Sequence, residues 1–406
     1  MEKLFKKQSS NPDFYLIDLP RNKYVFLDIV APAGSVFEKS HQDGMAHLLE
    51  HYIVRIAKSK QNKIKVSGSV SREQIHLWTK FNKKLLEKPE QIFKLIDSIF
   101  RLDFKKEMLI KEKKRLIQEI NFFTGDLYQQ IYEFCLKERF KAKCPYSRFS
   151  LGNKAAVVKV SLAELKKFYN SYFLRKNIMI IMGLDQKKYK NEASAILNHI
   201  KHYKLRNIAT KHFSCKGYSN FKLRIKAHPF LKSNYLVFSF PVPALKNYFI
   251  DVVALEIFCE ILLNNLKNIY KYNFNYRRIE TWHSFGMVIF RLRTKRNKKE
   301  SILKIIKEFF RLAEKADIKS SQFQAIIKSM EREEKRIAAS LGLRYEYVSG
   351  SIISNSVPFF LKNKEFRKIT PSDVVSIGKK YINKNYLNLF VLGREFKKID
   401  VKDVLS

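Results

Sequence analysis

Acidic side chains are scarce in this chain: 38 Asp and Glu stand against 79 Lys and Arg in 406 residues, a formal charge of +41. Such a balance attracts polyanions at low salt. The basic residues nevertheless form no RGG-like tract, helix-turn-helix signature or RNP-type aromatic motif, and they are spread over both halves. Many sit between apolar positions of predicted helices, as in Phe104-Lys105-Lys106-Glu107 and Leu303-Lys304-Ile305-Ile306-Lys307, and read as solvated faces. No specific nucleic acid partner is expected. Cysteine is scarcer still: the four, at 135, 144, 215 and 259, lack C-x-x-C spacing and point to neither a zinc knuckle nor a disulfide framework. No stretch approaches the roughly 18 uninterrupted apolar residues of a membrane-spanning helix. Met1 to Gln8 leads into polar sequence rather than an apolar export segment, so the expected location is cytoplasmic. Apolar residues are not lacking, at 46%, which is ample for the cores of two or more domains.

Among the nine histidines, two fall in His47-Leu48-Leu49-Glu50-His51. On a helix, positions i and i+4 share a face, so both imidazoles can reach one ion, with Glu50 beside the position left open for water. This H-x-x-E-H order, the inverzincin order, reverses the commoner H-E-x-x-H. Taken alone, the five residues read equally as a core helix packed through Leu48 and Leu49, its histidines satisfied by backbone or water. A catalytic zinc takes three protein ligands, and the best third candidate is Glu119, in the polar helical segment Lys111 to Ile120. Glu112, two helical turns before it, projects from the same face as a supporting acid or as part of an ordinary charged surface.

With these residues in place, the chain resembles the pitrilysin, insulysin and mitochondrial processing peptidase family of zinc peptidases. Ala33-Gly34-Ser35, Glu38 and Gly44-Met45-Ala46 are similar to the family's lead-in to its zinc helix. Cys144-Pro145-Tyr146-Ser147-Arg148-Phe149 and Leu151-Gly152-Asn153 look like its proline-containing loop and Gly-Asn turn. The resemblance covers most of residues 25 to 185. It implies one Zn2+ per chain held by His47, His51 and Glu119, with Glu50 as general base and Glu112 assisting. It also implies a peptide substrate laid as an added strand along Gly68, Ser69, Val70 and Ser71, inside a chamber closed by a second chain of the same family, as a homodimer or a heterodimer.

Departures accompany the match. His51 and Glu119 are 68 residues apart, shorter than is usual in the family, and Ser71 stands where the family carries Asn on its substrate strand. The family's second half supplies an Arg and, seven residues on, a Tyr; here Arg278 is followed by Phe285, without the hydroxyl. These departures keep open a non-catalytic, peptide-binding subunit of a processing-peptidase-like heterodimer. A basic nucleic-acid-binding protein is the remaining alternative.

The chain also repeats its own layout. Strand Tyr24–Val30, the zinc helix, strand Gln74–Phe81, helix Pro89–Phe100 and the long charged helix Lys105–Phe123 have counterparts in Asn234–Phe240, Ile250–Asn265, Gly286–Arg293, Lys299–Ala316 and Ser320–Leu341. The second half has no His-x-x-Glu-His, so only the first can hold the metal. The expected fold is α+β, two homologous domains, each an antiparallel-rich mixed sheet backed by helices. The expected division is a zinc-bearing domain at 1–205, a linker at 206–221 and an inactive peptidase-like domain at 222–406.

Overall fold

The computed structural model describes residues 5–10, 12–60, 64–140, 144–207, 213, 222–227, 234–242, 249–270, 274–281, 286–294, 298–315, 318–353, 367–393 and 404. The chain divides into two compact units. The first comprises Met1–Glu133, Lys143–Phe213 and Ile337–Ile353, the second Phe134–Ala142, Ser214–Arg336 and Ser354–Ser406.

The first unit contains strands β1 (Phe5–Ser10), β2 (Asp13–Asp18), β3 (Tyr24–Ala31), β4 (Val66–Val70), β5 (Ile75–Asn82) and β6 (Met179–Leu184). Its helices are α1 (Met45–Lys60), α2 (Glu90–Phe100), α3 (Lys106–Thr124), α5 (Lys154–Lys159), α6 (Leu162–Phe168) and α7 (Gln186–Lys201); α4 (Leu127–Arg139) crosses into the second unit. The sheet order is β1-β2-β6-β3-β5-β4, with β2 and β6 parallel and the other pairs antiparallel. β4 is therefore an edge strand, and α1 packs against it.

The second unit contains β7 (Lys222–Ala227), β8 (Asn234–Val242), β9 (Phe274–Thr281), β10 (Gly286–Thr294) and β11 (Asn388–Gly393). Its helices include α8 (Phe249–Tyr270), α9 (Lys299–Lys315), α10 (Ser320–Ala339), whose last turn from Ile337 is counted with the first unit, and α12 (Pro371–Tyr381). The order β7-β11-β8-β10-β9 repeats β2-β6-β3-β5-β4 strand for strand, down to the single parallel pair, β7 with β11. The expected α+β repeat is the fold observed. Its core follows helical periodicity: Ile302, Ile305, Ile306, Phe309 and Phe310 of α9 are all buried, and Phe309 stacks on Phe238 at 4.2 Å. Each such side chain contributes about 1.5–3 kcal/mol on leaving water.

The units differ from the expected sequence halves by two exchanged segments. α11 (Leu341–Ile353) belongs to the first unit because Tyr345 stacks on Phe26 at 4.5 Å and donates to the Ile181 carbonyl, its ring lying where a side chain on Gly183 would stand. Residues 134–142 belong to the second, where Phe134 stacks on Phe390 at 3.8 Å. The cysteines also depart from expectation: Cys135 and Cys259 are free and buried, but Cys144 is disulfide-bonded. Bridging follows proximity in space rather than sequence spacing. Among the described residues, no helix is long and apolar enough to cross a membrane.

Candidate metal centre

α1 has two faces because its apolar and polar residues alternate at helical spacing. Leu48, Leu49, Tyr52 and Ile53 are fully buried, while His47, Glu50, His51, Val54, Arg55 and Lys58 share the side that lines a cleft. The entry to the helix is pinned from two directions. Glu38, itself buried, accepts from the Gly44 N–H at 3.1 Å and the Ala46 N–H at 2.8 Å, satisfying donors that a helix start leaves open. The loop after Cys144 then closes on it: Gly44 (φ 101°) and Gly152 (φ 92°) meet backbone to backbone, where a Cβ on Gly152 would fall 2.3 Å from Gly44 Cα and one on Gly44 would fall 2.8 Å from a Val157 methyl.

That loop orients the first imidazole. The Leu151 carbonyl lies 3.2 Å from His47 Nδ1, which places the proton there and leaves the Nε2 lone pair free. α3 supplies the carboxylates. One Glu119 oxygen is 3.2 Å from His51 Nε2 and the other 3.6 Å from His47 Nε2. Ligand atoms about 2.0–2.1 Å from a tetrahedral zinc are roughly 3.3 Å apart, close to both of these separations. Glu50 is a rival ligand, its donor atom lying within 4.8 Å of both histidine nitrogens. It stands farther off, at 3.9 Å from His51 Nε2.

Electrostatics separates the two carboxylates. The hydrogen bond from His51 holds Glu119 below the usual carboxylate range, against a smaller effect of burial. Burial pushes Glu50 up to about 7, with His51 and Lys58 opposing and Glu119 and Glu112 reinforcing. Glu119 is thus the more acidic of the two carboxylates and Glu50 the more readily protonated. Burial, then the neighbouring His51, lowers His47, keeping the imidazole neutral as a ligand must be. For His51, burial is outweighed by Glu119, Glu50 and Glu112, and its pKa is raised. Glu112, almost completely buried, has one oxygen 3.8 Å from His51 Nδ1 and the other 2.5 Å from Arg115 Nη1.

β4 forms the opposite wall. Gly68 lies against Glu50, whose Oε1 occupies the place of any Cβ there. Ser67, Gly68, Ser69 and Val70 line the cleft. Ser71 is not part of that wall. It sits in the β4–β5 turn, where its hydroxyl accepts from the N–H groups of Glu73 at 3.2 Å and Gln74 at 3.1 Å. Arg278 lies on β9 of the second unit, and Phe285 falls outside the described residues.

Solved structures share this architecture over the whole chain. A protease from Helicobacter pylori superposes with a TM-score of 0.80 at 16% identity, covering 96% of this chain and 98% of that one. The inactive M16 peptidase domain from Pseudomonas fluorescens gives 0.79 at 13%, covering 97% and 98%. The chain has the fold of the M16 peptidases. It also matches a periplasmic protease from Escherichia coli at a TM-score of 0.80 and 12% identity, where 100% of this chain corresponds to 49% of the other. No family model and no curated protein sequence matches the chain. The M16 fold thus hosts both proteases and an inactive domain, and the side chains of the cleft must decide between them.

Proposed function

We propose that this chain is a zinc-dependent endopeptidase for unfolded peptides, working opposite a second chain of the same fold. The observation that carries this reading is the convergence on one cleft of His47 Nε2, His51 Nε2 and Glu119, whose two oxygens stand 3.6 and 3.2 Å from those nitrogens, with Glu50 beside them against an open sheet edge. His47, His51 and Glu119 would hold the ion. Zinc, when bound, supplies a Lewis acid for a peptide carbonyl and lowers the pKa of water to roughly 7.

The remaining work belongs to the chain. The edge of β4 offers unpaired backbone groups to an extended peptide, giving affinity through main-chain hydrogen bonds that are indifferent to sequence. Glu50, against Gly68, lies next to that added strand and takes the proton of the attacking water. As the carbon–oxygen bond forms and the carbon–nitrogen bond breaks, Glu50 returns the proton to the leaving amine. Leu151 orients His47 through Nδ1, and Glu112, 3.8 Å from His51 Nδ1, places a negative charge beside the second imidazole. A second chain is supported by the match to half of a longer protease.

Bound zinc and hydrolysis of unstructured peptides, measured for the wild type and for Glu50→Gln, test this reading. The variant is expected to keep its metal and lose at least a factor of about 10² in rate. Equal hydrolysis by both would remove Glu50 as the base. A second reading, a peptide-binding subunit without activity, draws on the inactive domain among the similar structures. It predicts bound peptide and no hydrolysis by zinc-loaded wild type.

A further inference from the structure

The cleft is larger than the metal centre requires, about 540 Å3, and it is basic along one side. Beyond His51, the same face of α1 carries Val54, Arg55 and Lys58, all lining the cleft. Arg115 enters from α3 but is matched by Glu112 at 2.5 Å. Arg55 stands 3.8 Å from that same carboxylate with its side chain 44% exposed. Lys58 is exposed and has no ion pair among the described residues. Arg55 thus shares Glu112 with Arg115, and Lys58, whose charge reaches Glu50, has no carboxylate within 4 Å among the described residues.

Their position is fixed relative to the substrate edge. The chain leaves α1 at Lys60 and enters β4 at Val66, so β4 runs back along the helix, with Gly68 opposite Glu50 and Ser67 toward Arg55 and Lys58. Along the helix axis, Arg55 is about 7 Å and Lys58 about 12 Å from Glu50. At about 3.3 Å per residue, an extended peptide covers these distances in two to four residues.

We infer that the cleft selects peptides carrying an acidic side chain two to four residues from the scissile bond, on the flank that passes Arg55 and Lys58. This rests on the reading of β4 as the peptide edge, and it adds the class of sequence that the edge accepts. Main-chain pairing alone would discriminate little, whereas a carboxylate reaching Arg55 or Lys58 gains charge-assisted hydrogen bonds in a partly enclosed site.

The test is a set of fluorogenic peptides with Glu, Gln or Lys placed singly at each position up to four residues on either side of one cleavage site. It is run on the zinc-loaded full chain and on Arg55→Glu/Lys58→Glu. Glu is expected to be preferred to Lys about five- to tenfold in kcat/KM on one flank, the preference shrinking with added salt. In the charge-reversed variant, the ratio should invert. Equal rates for Glu, Gln and Lys on both flanks, or a preference untouched by the reversal, would overturn the inference while leaving the peptidase intact. Absence of all hydrolysis counts against the peptidase reading alone. The inference is then judged by fluorescence anisotropy of the same peptides on Glu50→Gln: tighter binding of the Glu peptides on one flank supports it, and equal Kd values overturn it.

Discussion

α1 and α8 hold corresponding places in two sheets of the same strand order, yet they are built on opposite principles. α1 is buried on one side only, through Leu48, Leu49, Tyr52 and Ile53, and turns its polar stripe into a cleft. α8 is buried round most of its circumference, through Val252 to Leu255, Ile257 to Cys259 and Ile261 to Leu263, and its polar stripe narrows to Glu256, Glu260 and Asn264, the last donating to Glu260 at 3.4 Å. That stripe carries no histidine to offer a metal. The duplicated topology supplied two equivalent frames. In one, the helix next to the edge strand carries the candidate metal centre; in the other, the equivalent length of chain is mostly core, with Phe258 filling the space beside Gly378 of α12.

The comparison can be broken by making the first helix resemble the second. His47→Val with His51→Leu removes both imidazoles from a buried region without adding a polar group. Zinc measured by mass spectrometry should be lost and hydrolysis should fall to background. The melting temperature of the metal-free protein should hold or rise, because apolar burial replaces two desolvated rings. A large loss of metal-free stability would mean that α1 needs its histidines for folding, as α8 plainly does not.

A subtler break targets the space between helix and strand. In Gly68→Ala the new methyl meets Glu50 Oε1, so the carboxylate must move away from the substrate edge. Zinc content should be unchanged and kcat lowered by about 10²-fold, the effect expected of a base misplaced by about 1 Å. Unaltered kcat would show that Glu50 works from elsewhere.

How much of this was legible beforehand follows from the range of the interactions. His47, Glu50 and His51 were readable because their relation is local, one turn of one helix; Glu119, 68 residues on, was picked out by its polar helical segment and by the family resemblance, not by any local relation to them. The repeated sheet was readable because strand and helix periods alternate in the same sequence twice. Tyr345 was not: it lies in an amphipathic helix like its neighbours, and only its fit over Gly183 assigns α11 to the first unit. The carbonyl of Leu151 on His47, 104 residues away, and the close approach of Gly68 to Glu50 are likewise tertiary facts. The setting of Ser71 is tertiary in the same way: it stands one residue past β4, in a turn where its hydroxyl accepts from the N–H groups of Glu73 and Gln74.

The smallest expected effect concerns what holds α1 in place. Glu38 accepts from Gly44 and Ala46 at the start of the helix, and Arg148 donates to the Glu38 carbonyl oxygen. Burial pushes the Glu38 carboxyl up to about 8, further than those two N–H bonds and the Arg148 charge pull it down. In the unfolded chain it titrates near its ordinary 4.5. Between these values the folded protein binds the extra proton, so this group's contribution to stability is complete below pH 4.5 and declines as pH rises through 8. The slope is at most about 1.4 kcal/mol per pH unit. Glu38→Gln cannot titrate and keeps only one of the two acceptors, so at low pH it should be less stable than the wild type by about 1 kcal/mol. As pH rises, that gap should narrow and then reverse, read from denaturant unfolding of the metal-free protein at a series of pH values. Parallel curves for the two proteins would mean that Glu38 is already ionised in the fold, held so by the start of the helix that carries the histidines.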